Sequence, residues 1–156
     1  MGLFVVIPQD YDDLPEALRK QTIPICIAAF DRHGDCLQVP GGVLLHGDLG
    51  SHNVLTDGDR LLGLIDWEDA VAGDPVYDIA FWATFHPAAR RTIFLTGYRD
   101  VRALPDDFPL RFWLYFVRIA LAKAVHRRRF GYPDRPDRPT AAQRIRSALD
   151  ELARAA

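Results

Sequence analysis

Between His46 and Asp78 the sequence gathers eight carboxylates against one cationic side chain, Arg60. The same stretch, HGDLGSHNVLTDGDRLLGLIDWEDAVAGDPVYD, carries apolar runs such as NVL and LLGLI, so part of it is expected to be buried. Burying an unpaired carboxylate is expensive. A divalent cation would complete the cluster, and Mg²⁺ in particular takes one or two carboxylates together with phosphate and water oxygens. Asp66 and the side-chain carbonyl of Asn53 offer oxygens of that kind. Asp48 offers a carboxylate able to orient a hydroxyl group and accept its proton.

The spacing narrows the chemistry. Asn53 follows Asp48 by five residues, and Asp66 follows Asn53 by thirteen. In protein kinases a loop Asp meets the attacking hydroxyl, an Asn further along that loop binds Mg²⁺, and a later Asp binds Mg²⁺ bridging the phosphates. A hairpin makes the spacing workable here. NVLT and RLLGLID flank DGD, a good turn signal, and antiparallel pairing about that turn brings Asn53 and Asp66 to the same open end. Asp48 arrives there from the preceding loop.

HGDLGSHNVL followed by LIDWEDAVAGDPVYDIA strongly resembles the aminoglycoside phosphotransferase family, kinase-fold enzymes that phosphorylate hydroxyls of small molecules. The family writes His-Gly-Asp where protein kinases write His-Arg-Asp. Two motifs match in order and spacing between about Val43 and Trp82, and the phrasing looks most like the hygromycin-type branch. The resemblance implies Asp48 as catalytic base, Asn53 and Asp66 as ligands of Mg²⁺ and hence of the ATP phosphates, and His46 as organiser of the catalytic loop. It also implies that Asp78 hydrogen-bonds back to the backbone of that loop. Glu68 and Asp69 stand where they would line a cleft for a cationic substrate.

Each residue has a plainer reading beside this one. An Asp in a Gly-flanked turn is usually a turn former. Asp74 reads first as a helix cap, and Asp78 sits in a first turn, where the helix dipole favours acids. His46 reads as an ordinary hydrogen-bonded histidine, Glu68 and Asp69 as a solvated loop, and His52 carries no assigned role. The basic run at residues 126–129 suits a helix C-terminus without any phosphate.

The elements that must hold these groups are mostly helical. Leu3–Ile7 reads as a short strand or the stub of a longer element. A helix follows, with Asp13 as cap and Pro15 in its first turn, and Pro24 interrupts it, giving two short pieces or one kinked helix to about Arg32. GDCLQVPGG is a loop and VLLH a brief buried strand. GDPVYDIAFWATF opens a helix with Asp74 capping and Pro75 first, and AARRTIFLTGYR forms the next. FPLRFWLYFVRIALAKAVHRRRFG is a long amphipathic helix closed by Gly131. YPDRPDRP is a linker, and Thr140 with Gln143 forms a capping box for a last helix ending near Ala155. The expected fold is α+β and mostly helical, the C-terminal lobe of a protein-kinase-like fold. It is one domain over residues 1–156, with a catalytic loop at 46–53, a metal-binding segment at 64–69 and a helical subdomain at 74–156.

The 156 residues carry a net charge of −2, which hides strong segregation. Residues 46–78 hold one Lys/Arg against eight acids, whereas residues 79–156 hold fifteen against seven. Without a global basic footprint, nucleic acid is not an expected partner. No apolar run reaches the ~18 residues of a membrane span, the start lacks a basic leader, and Cys26 and Cys36 make no disulfide framework, so a cytoplasmic location is expected.

A kinase-fold enzyme also needs a nucleotide lobe, with a Gly-rich loop and a strand Lys. The two lysines, Lys20 and Lys123, lie in helical contexts, and the residues before His46 read as helix rather than a five-stranded sheet. The N-terminal lobe is therefore expected to be absent, and the chain to be nearly inactive alone, with a missing lobe or partner chain as its complement. Two other readings stand beside this one. One is a non-catalytic remnant or regulatory lobe binding a small molecule or partner through an exposed apolar patch near Leu3–Ile7 and the hairpin. The other is a metallohydrolase with His46, Asp48, His52 and Asp66 as ligands.

Overall fold

A computed structural model describes residues 14–133 and 139–156; the expected strand at Leu3–Ile7, the cap at Asp13 and most of the Pro-rich linker lie outside them. The described chain divides into two units, residues 14–38 with Pro109–Ala156, and Val39–Phe108.

In the first unit, helices α1 (Glu16–Gln21) and α2 (Ile23–His33) are separate, and the break falls at Thr22 rather than at a proline. Pro24 sits in the first turn of α2, where its missing N–H costs no helical bond. The long helix α5 (Phe108–Arg129) was expected to be amphipathic, yet between Phe112 and Val125 it buries residues on most of its circumference, among them Leu114, Tyr115, Val117, Ile119 and Leu121. A helix apolar nearly all round belongs in a core. Its end is a Schellman motif: Tyr132 N–H donates to Arg127 O at 2.9 Å, Gly131 N–H to Arg128 O at 3.2 Å, and Gly131 takes φ +68°. Helix α6 (Ala141–Ala155) starts at the expected capping box, Thr140 and Gln143 each accepting the other's backbone N–H. Helices α2 and α6 flank a shallow groove lined by Ile25, Ala28 and Ala29 on one side and Leu149, Leu152 and Ala153 on the other.

The second unit nests one antiparallel pair inside another. Strand β1 (Val43–Leu45) pairs with β4 (Val71–Gly73), Leu45 opposite Val71. Between them in sequence lie β2 (Val54–Asp57) and β3 (Arg60–Leu64), which pair with each other, Val54 opposite Leu64. The nesting has a geometric consequence. The chain leaves β1 for β2 through residues 46–53 and leaves β3 for β4 through residues 65–70, so the two connections must face each other. Helix α3 (Val76–Ala83) follows β4, and α4 (Ala88–Val101) follows α3. Among the described residues no helix is long and apolar enough to cross a membrane.

Candidate active site

The two facing connections are tied by two hydrogen bonds. Ile65 N–H donates to Asn53 O at 3.0 Å, which carries the β2–β3 ladder one step beyond the strands. The His46 ring reaches Ile65 O through Nε2 at 2.8 Å. A carbonyl only accepts, so Nε2 bears a proton. His46 is 2% exposed, its Nδ1 has no hydrogen-bond partner, and its ring lies against Trp67 with centroids 4.7 Å apart. The histidine thus spans from one connection to the other, in contact with Ile65 and Trp67.

Asn53, 3% exposed, closes the first connection on itself. Its Nδ2 donates to Asp48 O at 2.9 Å and to Asp48 Oδ2 at 3.3 Å. This fixes the amide orientation and leaves Oδ1 as the oxygen available to a cation. Two tight turns, Gly50 N–H to Asp48 O at 2.7 Å and Asn53 N–H to Gly50 O at 3.0 Å, compress the five-residue spacing into a single loop. The Asp48 carboxylate lies beside Asn53 because of them.

Asp78 anchors the beginning of that loop. Its Oδ2 accepts from His46 N–H at 2.7 Å and its Oδ1 from Gly47 N–H at 3.0 Å. Burial pushes the Asp78 carboxyl above its ordinary range, and the two backbone donors and the nearby His46 offset this only in part. Gly47 takes φ +84°, and a Cβ there would lie 2.1 Å from Asp69 O, so the turn needs glycine both for its dihedral and for the close approach of the second connection. Asp74 lies one turn before Asp78. Its Oδ1 accepts from Val76 N–H at 3.0 Å, and Pro75 already has helical dihedrals, so Asp74 caps the helix although α3 itself is counted from Val76.

Asp66 follows β3 and is the one non-glycine residue with positive φ, +65°, among the described residues. Such a conformation costs most side chains free energy, less for Asp, and it concentrates at functional sites. Two neighbours pin it: Ile65 O is held by His46, and Trp67 Nε1–H donates to Leu64 O at 3.0 Å. Asp66, Glu68 and Asp69 are all exposed, and among the described residues none of them, nor Asp48, pairs with Lys or Arg. His46, Asp48, His52 and Asp66 do not form one metal shell; no group of three or more His, Cys, Asp or Glu side chains is gathered for a metal among the described residues.

Sequence reasoning passed over two contacts near the loop. His52 Nε2 lies 3.5 Å from Asp48 Oδ2, and Ser51 Oγ lies 2.9 Å from His86 Nε2. His86 belongs to no motif, and its pairing with a residue 35 positions away has no local sequence signal.

Known proteins resemble this chain in sequence and in fold. The profile of the phosphotransferase enzyme family, APH, matches residues 7–113. Hygromycin-B 4-O-kinase of Escherichia coli is 47% identical over 51 residues, which are 31% of this chain and 14% of that protein. Homoserine kinase of Methylobacillus flagellatus is 35% identical over 104 residues, covering 54% of this chain and 32% of that one. Viomycin phosphotransferase of Streptomyces vinaceus is 32% identical over 96 residues, covering 54% and 33%. The fold matches the apo crystal structure of a thermostable mutant of aminoglycoside phosphotransferase APH(4)-Ia with a TM-score of 0.60 at 21% identity, over 93% of this chain and 46% of that one. The chain thus spans a third or less of these curated relatives and under half of the solved structure. With the HGD…N and IDWED segments facing each other on nested strands and a family profile covering most of its length, the chain belongs to the aminoglycoside phosphotransferase family, enzymes that transfer phosphoryl groups.

Proposed function

We propose that this chain supplies the catalytic and metal-binding lobe of an ATP- and Mg²⁺-dependent kinase whose acceptor is a hydroxyl of a polar, cationic small molecule. The observation that carries the reading is the bonded circuit Asp48–Asn53–Ile65–His46, which ties the loop of Asp48 and Asn53 to the connection that carries Asp66. The residues fit a hard cation. Asn53 has spent its nitrogen and keeps its oxygen, and Asp66 is an exposed carboxylate without a basic partner. Those two residues would hold Mg²⁺, which neutralises phosphate charge when bound.

Asp48 carries the proton chemistry. Its Oδ2 faces Asn53 and His52, which leaves Oδ1 to meet the acceptor hydroxyl. As the acceptor oxygen bonds to the γ-phosphorus and the bond to the β-bridging oxygen breaks, the hydroxyl proton passes to Asp48. Glu68 and Asp69, exposed on the same connection, favour a cationic acceptor. The relatives are named for different acceptors, hygromycin B, homoserine and viomycin, so the class is proposed rather than one molecule.

Two features support a complement that brings the nucleotide grip. Lys20 is paired with Glu16 on α1 and Lys123 lies on α5, so neither stands on a strand where a phosphate-gripping Lys belongs. Leu55, Leu61, Leu62 and Ile65 are exposed on and beside the hairpin, apolar surface that a covering lobe would bury. The test is calorimetric titration with Mg²⁺–ATP and then with a panel of aminocyclitol antibiotics. Asp66→Ala should abolish the Mg²⁺-dependent heat, and Asp48→Ala should leave it in place. The reverse pattern would exchange the two roles and defeat the assignment.

A further inference from the structure

Helix α3 reaches the catalytic loop at more than one point. Asp78, in its first turn, takes the N–H groups of His46 and Gly47. Past its far end, two consecutive residues meet two consecutive loop residues. His86 Nε2 is 2.9 Å from Ser51 Oγ, and Phe85 stands edge-on to the His52 ring with centroids 5.8 Å apart. The loop between these grips contains Asp48.

The far grip is built to be stiff. The His86 ring stacks on Trp82 at 4.1 Å and 29°, and Trp82 stacks in turn on Phe94 of α4 at 4.3 Å and 23°. His86 N–H is bonded to Ala83 O at 3.2 Å. A ring held on one face and through its backbone presents Nε2 in a fixed direction, which an isolated surface histidine does not. On the loop side, Ser51 opens the short turn Ser51–Asn53, so fixing its side chain fixes the turn that delivers Asn53 to Asp48. His52 lies directly over Gly50, where a Cβ would come within 2.2 Å of its ring.

We propose that His86 is a positioning residue for the Asp48–Asn53 loop, acting through Ser51, and that α3 and the turn after it clasp this loop at both ends. It does not touch the reacting groups. The inference rests on the kinase reading for its effect on turnover, but the clasp itself is testable without it.

Amide hydrogen exchange by NMR on the 156-residue chain is the measurement. The reporters are Gly50 and Asn53, whose N–H groups close the two turns of the loop. Ser51→Ala and His86→Phe, the latter keeping a ring to stack on Trp82, should each speed exchange at those two amides about tenfold. The double variant should add little to either single one, because both remove the same contact. Ser51→Thr, which keeps the hydroxyl, should restore protection, and amides of β1 and β4 should be unchanged throughout. Unchanged exchange in the single variants, or effects that multiply in the double variant, would overturn the proposal, as would a general loss of protection across the unit. Where the active assembly turns over, His86→Phe should lower kcat by about 10- to 100-fold with KM for the nucleotide unchanged, the expected cost of a misplaced catalytic group. A rise in KM with kcat intact would overturn the positioning role. Variants that show this exchange pattern, with a wild-type assembly that transfers no phosphoryl group, would sink the kinase reading and leave the clasp standing.

Discussion

Gly47 shows how little freedom the site has at the level of single residues. Its backbone is left-handed and the carbonyl of Asp69 occupies the space a side chain would need. Gly47→Ala should cost about 1–3 kcal/mol in urea denaturation, in the range of overpacked sites, and should also weaken Mg²⁺ binding, because relief of the clash moves the connection that carries Asp66. Cys26 is a residue of the opposite kind, sealed and inert. It is 0% exposed, and burial pushes its thiol up to about 12. Thiolate is the reactive form, so in native protein at pH 8 a thiol reagent should modify Cys36, which is half-buried, and spare Cys26, whereas both should react in guanidinium. Rapid native labelling of Cys26 would contradict its burial.

At the level of elements, Asp78 couples helix α3 to the loop and brings a pH dependence with it. A carboxyl whose folded-state pKa is raised holds its proton more tightly folded than unfolded. Its contribution to stability is complete below the ordinary Asp value and is lost as pH rises through the raised one. Asp78→Asn removes that titration and, having one oxygen in place of two, also leaves one backbone N–H unanswered. The variant should be less stable by about 1–3 kcal/mol, and the gap to wild type should narrow as pH climbs through this window in denaturation curves. A gap that widens would reverse the sign. Thr140→Ala, which breaks the capping box of α6, should cost about 1 kcal/mol by the same assay and leave the site untouched.

These elements differ in how well the sequence announces them. The hairpin, the Gly131 stop and the Thr140 cap are written in local turn and cap chemistry, and each is found where that chemistry puts it. Asp48, Asn53 and Asp66 are legible through their spacing, and the bond from Ile65 to Asn53 shows the hairpin aligning the two segments. Strand β4 escaped notice because Val-Ala-Gly is too short for a periodic signal and exists only by pairing with β1. The helix break at Thr22 was displaced to Pro24, since proline is tolerated in a first turn. The burial around α5 was hidden because its Arg and Lys residues suggest a solvent face that is narrower than their number implies.

For the molecule as a whole, acid and base are sorted along the chain, with eight carboxylates within residues 46–78 and the basic excess after them. Under the kinase reading, binding of a cationic acceptor should weaken as salt rises from about 0.05 to 0.5 M, by Debye screening of an exposed acidic cleft, and salt-independent binding would argue against a charge-selected acceptor. Purified residues 1–156 should show little or no ATP-dependent phosphorylation of an aminoglycoside. Robust transfer by this chain alone would overturn the need for a complement.

The unit that holds α2 beside α6 is assembled from two stretches of chain, and the roughly seventy residues of the other unit are threaded between them. During synthesis, α1 and α2 therefore leave the ribosome well before α5 and α6, which belong to the same unit, exist. The inserted unit has both of its strand pairs within its own stretch and is free to close first. Until α6 emerges, the nascent chain carries one unit able to close and another still half built, an interval in which a chaperone would protect it.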